Sequence, residues 1–242
     1  MRSIFGIFAR SSIYKILTLF LGLVIADVLL YIIGLQGWFR DYNIGLNEHF
    51  PTWMLMALVF FIVYLMTVFI LARVTSNKRE KNAFTLQRLS SSEREIFIVQ
   101  TFYNIVVFTI LWAVQLAVLL ALALYHKSNL PVEINSGITI FGMFHFNRFL
   151  NLIFPLSNYI QYLLKILLII WTSLIISAYS YRERGERANY SLVVYLGIIT
   201  YFYGSNLFLK SGYELIMISM MVFIAIVEVY NIYKIDKGEG RS

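Results

Sequence analysis

The chain has no cysteine among its 242 residues. That excludes a disulfide framework and any thiolate-bound metal or cluster. Proline is nearly as scarce. Pro51, Pro131 and Pro155 are the only three, and none interrupts a long apolar run. Unwound, proline-broken helices of the kind many ion-coupled carriers use are therefore not indicated. Charged residues make up 14% of the chain, about half the roughly 25% of an ordinary globular domain. Three catalytic signatures are missing as well. There is no G-x-x-x-x-G-K-[ST] phosphate loop, no H-E-x-x-H pair and no G-x-S-x-G nucleophile elbow. His49, His126 and His145 fall at unrelated spacings. They read as polar residues of the outer connections rather than as a three-histidine metal site. No metal, cofactor or catalytic residue is expected in this chain.

What is present is apolar. Hydrophobic residues make up 60% of the chain, and mean hydropathy is +0.73. A soluble domain has no core large enough for that share, whereas lipid takes the place of a core around a helical bundle. The continuous runs are also too long for barrel strands, which need about 10 alternating residues. The expected fold class is all-α: one polytopic transmembrane domain over residues 1–242. Six spans are predicted, near Ile16–Leu35, Trp53–Ala72, Ile96–Tyr125, Leu156–Tyr181, Tyr190–Leu207 and Tyr213–Tyr233. The N-terminal run is too long for a cleavable signal peptide and lacks a small-x-small site after it.

The net charge of +7 is unevenly placed. With a cytoplasmic N-terminus, fifteen Lys/Arg lie on the inner side and four on the outer, with Lys165 inside a span. That asymmetry predicts both termini inside and a multi-pass location in the cell membrane, most naturally a bacterial cytoplasmic membrane. It fits anionic lipid at the inner face and gives no reason to expect nucleic acid. The first dozen residues set Ile4, Phe5, Ile7 and Phe8 beside Arg2 and Arg10. They read either as a short amphipathic helix on the inner headgroup layer or as an extension of span one. On the outer side, FGMFHFNRFLNLIF predicts an interfacial or shallow re-entrant helix, and Pro155 suits the first turn of span four.

The inner loop from Ala72 to Phe97 carries six Lys/Arg around Phe84, Leu86 and Leu89. Asn82–Leu89 reads as a short helix. Ser90 or Ser92 can then cap span three, with Glu93 or Glu95 at its third position. Two readings of the loop remain open: a plain basic loop against anionic lipid, or an element docked on a cytosolic partner.

The segment FTLQRLSSSEREIF resembles the loop after span two in permease subunits of type-2 ATP-binding cassette exporters, where a TL-x-x-L-P-x-S-R-x-E pattern forms a coupling helix. Thr85, Leu86 and Leu89 match, followed by Ser90, Ser91, Ser92 and Glu95, while Ser90 stands where the pattern has proline. The six-span layout is similar to that family. So are FNRFLNLIFPL and the basic RERGER turn. The resemblance implies an exporter subunit whose coupling residues are Phe84, Thr85, Leu86, Arg88, Leu89, Glu93 and Glu95. It implies a separate cytosolic ABC ATPase that holds ATP and magnesium, and a second permease copy or homologue. One departure is that Phe208–Gly212 leaves no room for the re-entrant helices many members carry between spans five and six.

Polar residues inside spans are costly, about 2.5–3.5 kcal/mol each for a central charge on insertion scales. Asp27 lies about 12 Å from the outer end of span one, Lys165 about 13 Å into span four and Gln115 about 15 Å deep in span three. These depths predict one polar layer of Asp27, Gln115, Gln161 and Lys165, with Asp27 and Lys165 as an ion pair. The layer serves either to fix packing or to line a cavity or gate. Asn158, Gln161, Lys165 and Thr172 share a helical face, as Thr101, Asn104 and Gln115 nearly do. Gly197 and Gly204 predict a close helix contact.

Overall fold

The computed structural model describes residues 2–38, 52–76, 93–129, 138–156, 159–184, 191–208, 219–220, 222–227 and 229–230. Seven helices are delimited: α1 (Arg2–Trp38), α2 (Trp53–Ser76), α3 (Glu93–Ser128), α4 (Thr139–Phe146), α5 (Arg148–Ile153), α6 (Tyr159–Arg184) and α7 (Ser191–Phe208). The described residues from 219 to 230 are helical too, and no strand occurs among the described residues.

Four helices are long and apolar enough to cross a membrane: α1, α2, α3 and α6, over Ile4–Gly34, Trp53–Val74, Glu93–Ser128 and Gln161–Glu183. They coincide with the first four predicted runs. Helix α7 lies on the fifth run, and Leu192–Tyr201 is its shorter apolar stretch. Helical conformation in these runs follows from the absence of proline and from the need to satisfy every backbone amide internally once water is excluded.

Three sequence expectations change. The short amphipathic N-terminal helix is not a separate element, because α1 runs unbroken from Arg2 through span one. Its first turns are packed, with Ile4 and Phe8 each 1% exposed. Pro155 stands ahead of α6, which begins at Tyr159, and does not occupy its first turn. Gly197 makes no close contact among the described residues, where a Cβ built on it would meet nothing within 4 Å, and the surroundings of Gly204 lie outside what is described.

The chain divides into two compact units. The first takes the described residues within Met1–Ile16, Leu65–Thr109 and Ile166–Ser242. Its core joins Phe8, Leu71, Ile96, Phe108, Ile176 and Tyr195. The rings of Phe5 and Phe8 lie 5.3 and 6.2 Å from Tyr103, and Ser12 Oγ bonds Tyr103 Oη at 2.6 Å. These contacts hold the start of α1 against α3.

The second unit takes the described residues within Leu17–Tyr64 and Ile110–Lys165. Its connection between α3 and α6 holds two helices where the sequence indicated one. Asn147 separates them, and its Oδ1 accepts from the amides of Phe149 and Leu150 at 3.0 and 3.1 Å, capping α5. Phe149, Leu150 and Ile153 are buried. Phe149 meets Phe60 of α2, and Trp112 of α3 donates to the Ile153 carbonyl at 3.0 Å. The short pair is thus anchored to two long helices. Thr52, held at a left-handed φ of 60°, donates to the Leu30 carbonyl at 2.8 Å and links the start of α2 to α1.

The exposed surface is oily. Along α1, Leu17, Leu21, Ile25, Leu29 and Ile33 recur every four residues, each at least half exposed. One helical face of that length without a polar side chain suits hydrocarbon and not water.

Candidate functional site: polar seams between helices

In the first unit the polar residues of α3 and α6 form a seam. Gln100 and Asn104 are four apart on α3, and Ser173, Ser177 and Ser180 follow at four and three on α6, so each set faces one way. All five are at most 2% exposed. Gln100 Nε2 donates to Ser180 Oγ at 3.0 Å. Asn104 Nδ2 donates to Ser177 Oγ at 3.1 Å and to the Ser173 carbonyl at 3.4 Å. Ser180 Oγ also reaches the carbonyl of Ala72 on α2 at 3.3 Å, which adds a third helix. Ser177 and Ser180 in turn donate to carbonyls four residues back, at 2.9 and 3.0 Å. Small hydroxyls let the backbones approach, and the amides tie them together, as at membrane helix interfaces generally. Thr172, fully buried, bonds Tyr195 of α7.

In the second unit the polar pairs join α1 and α3. Gln115 Nε2 donates to Asp27 Oδ2 at 2.9 Å, and both residues are fully buried. Asp27 Oδ1 and Gln115 Oε1 have no hydrogen-bond partner among the described residues. Tyr31, one turn beyond Asp27, meets His126 in the last turn of α3, with Oη and Nδ1 2.8 Å apart. The two residues are 1% and 4% exposed.

The expected Asp27–Lys165 ion pair is not formed among the described residues. Lys165 Nζ lies 3.4 Å from the carbonyl of Asn151, next to the capped α5. Its side chain and that of Gln161 are only partly buried, unlike Asp27 and Gln115. Burial therefore divides the proposed layer into a fully buried α1–α3 pair and a more exposed α6 pair. Asn158 lies outside the residues whose side chains are described.

Of the coupling residues, Phe84, Thr85, Leu86, Arg88 and Leu89 lie outside the described residues, as do Ser90 and Ser92. Glu93 and Glu95 open α3 and are exposed there. Two acidic residues in a first turn complement the positive end of the helix dipole. Just before the loop, the Arg73 guanidinium stacks 4.0 Å over Phe69 in the last turn of α2.

Histidine placement differs from expectation. His126 is a buried helix residue rather than a loop residue, and His145 is exposed on α4 beside the Phe146 ring at 5.0 Å. His49 lies outside the described residues. No group of three His, Cys, Asp or Glu suited to a metal occurs among the described residues.

Sequence reasoning missed the Ser173/Ser177/Ser180 face, Gln100 and the Tyr31–His126 pair. The serine face was readable, since three small hydroxyls at helical spacing inside a span are a packing signal. Tyr31 had no such signal. A tyrosine four residues from a span end is indistinguishable from an interfacial one until its neighbour is known.

The fold and its seams define a class: an all-helical chain with four helices long and apolar enough to cross a membrane, locked pairwise by buried polar side chains. Set against protein-family models, curated proteins and solved structures, the chain matches none of them.

Proposed function

We propose that this chain is the membrane-spanning permease subunit of an ATP-driven exporter, working with a separate cytosolic ATPase and a second copy or homologue. The chain supplies the path and the coupling lever, and ATP and magnesium belong to the partner. The observation that carries this reading is the FTLQRLSSSEREIF segment together with the start of α3 at Glu93. The matched residues Thr85, Leu86 and Leu89 thereby stand directly ahead of a 36-residue helix. A push on that loop would act on the start of this helix. ATP-driven closure of the ATPases would move the 82–95 element, and with it α3. Six spans, cytoplasmic termini and a bacterial cytoplasmic membrane complete the proposal, resting on the run lengths and on the inner excess of Lys/Arg.

The test is to purify the full chain in mild detergent with its native partners and assay ATPase activity. A P-loop ATPase is expected to co-purify. Leu86→Asp with Leu89→Asp should abolish substrate-stimulated hydrolysis while the helical circular dichroism stays unchanged. Failure of any ATPase to co-purify would sink this reading.

A second reading is a non-transporting scaffold or sensor subunit that docks a cytosolic partner through the same loop. The seam of the first unit favours it, because its amides and hydroxyls bond one another and serve helix packing. A scaffold would keep its partner without ATP-dependent movement of any substrate. A lipid-acting membrane enzyme would instead turn over lipid with no ATPase bound, and no observation favours it.

A further inference from the structure

The second unit contains a carboxyl group that the coupling proposal does not use. Asp27 is fully buried, and among the described residues the one donor that reaches it is a neutral amide, Gln115 Nε2 at 2.9 Å. Among the described residues its second oxygen has no partner, and neither has Gln115 Oε1. Two buried acceptors without a donor form an incomplete polar site, and such a site is expensive in a dry interior. The missing component is a hydrogen. A proton on Asp27 turns one acceptor into a donor and removes the net charge in the same step. No cavity for a larger cation is needed.

A second observation lies on the same two helices. Asp27 and Tyr31 are four apart on α1, and so share a face about 6 Å apart along the axis. Gln115 and His126 are eleven apart on α3, three turns and nearly the same face. Asp27 contacts Gln115, and Tyr31 contacts His126 at 2.8 Å. A hydrogen-bonded tyrosine–histidine pair therefore lies beyond the carboxyl group on the same two helices, about 16 Å further along α3. His126 is the member nearest the end of α3, in its final turn.

Among the described residues, the other titratable groups of this unit sit elsewhere, Lys127 in the last turn of α3 among them. Tyr125 stacks on Tyr31 with ring centres 6.1 Å apart, and Tyr162 meets Trp112. Tyr64 is buried on α2. Lys165 Nζ points to the Asn151 carbonyl. His145 and Arg148, on the two short helices, are exposed. No counter-charge to Asp27 occurs among the described residues.

We propose that Asp27 is an intramembrane proton-binding group, taking up and releasing a proton in a seam whose second pair, Tyr31 and His126, leads to the end of α3. The net step is a carboxylate and a hydronium ion giving a carboxyl group and water, and its reverse. Buried carboxyl and histidine chains of this kind serve as proton relays in membrane pumps and carriers. The proposal is independent of the exporter reading, because it concerns one helix pair and needs no ATPase.

Infrared spectroscopy of the full chain in lipid nanodiscs reads it directly. Difference spectra between acidic and alkaline buffer should contain the carbonyl band of a protonated carboxyl group. Asp27→Asn should remove that band, and Asp27→Glu should move it. Asp27→Asn keeps an acceptor for Gln115 Nε2 and adds a donor for Gln115 Oε1, so it is expected to fold. Should it not, the band shift in Asp27→Glu still assigns the group. In heavy water the band should shift promptly, and Tyr31→Phe should slow that shift several-fold. Two results overturn the proposal: no band assignable to Asp27 at any pH where the chain stays folded, or a band that responds neither to pH nor to heavy water. The second would mark a sealed packing carboxyl. Neither result bears on whether an ATPase co-purifies.

Discussion

Single side chains decide where helices stop and how closely they pack. Asn147 is the plainest case. Its Oδ1 takes two amides at the start of α5, so Asn147→Ala should cost about 1 kcal/mol, the usual worth of an N-cap. Asn147→Asp should keep most of it, and a thermal melt in detergent compares the two. Ser177 separates two effects within one seam. Ser177→Ala removes a single interhelical bond from Asn104, worth about 0.6 kcal/mol on average inside membranes. Ser177→Leu forces a branched side chain into a fully buried position, typically about 1–3 kcal/mol. Reversible unfolding in mixed micelles should find the leucine variant several times more damaging. Equal losses would mean that the bond and not the close approach holds α3 to α6. At this scale the sequence was legible where residue type is decisive, as for the buried Asp27 and Gln115. It was silent about Lys165, because depth along a helix says nothing of the direction a side chain takes around it.

For whole elements, length and hydropathy carry most of the information. The four longest helices coincide with the four clearest apolar runs, since a run of about 20 apolar residues without proline has few alternatives to a helix in lipid. The N-terminus shows the limit of that reasoning. Apolar residues beside Arg2 and Arg10 suit a surface helix and a helix extension equally well. Contacts with Tyr103 decide for the extension, because Phe5, Phe8 and Ser12 all reach it. Phe8→Ala should therefore destabilise the folded chain by about 3 kcal/mol, as removal of a buried ring does. A surface anchor would instead weaken lipid association and leave the unfolding midpoint in place. The connection between α3 and α6 was foreseen as helical and missed as two helices. The division depends on a side-chain oxygen turning back on its own backbone, and FNRF carries that only as an option.

At the scale of the molecule, the arrangement proposed here is a bundle with both termini on the inner side. The absence of cysteine makes it directly testable. Ser128→Cys, at the end of α3, should react with an impermeant maleimide added outside intact cells. Arg94→Cys, at its start, should react only after the cells are opened. Labelling of both from outside would overturn the orientation drawn from the Lys/Arg count.

The amino-acid sequence by itself determined that the chain is helical, that its long helices suit hydrocarbon, and that a few polar residues are buried in them. Those properties follow from composition and run length, because transfer of apolar surface and backbone hydrogen bonding act locally along the chain. Only the tertiary structure decided the partners: Gln115 rather than Lys165 on Asp27 and His126 on Tyr31, and serines rather than water on Gln100 and Asn104. Pairing depends on the rotation and offset of one helix against another. Those quantities are set by the packing of every side chain in the seam together, and no single stretch of sequence contains them.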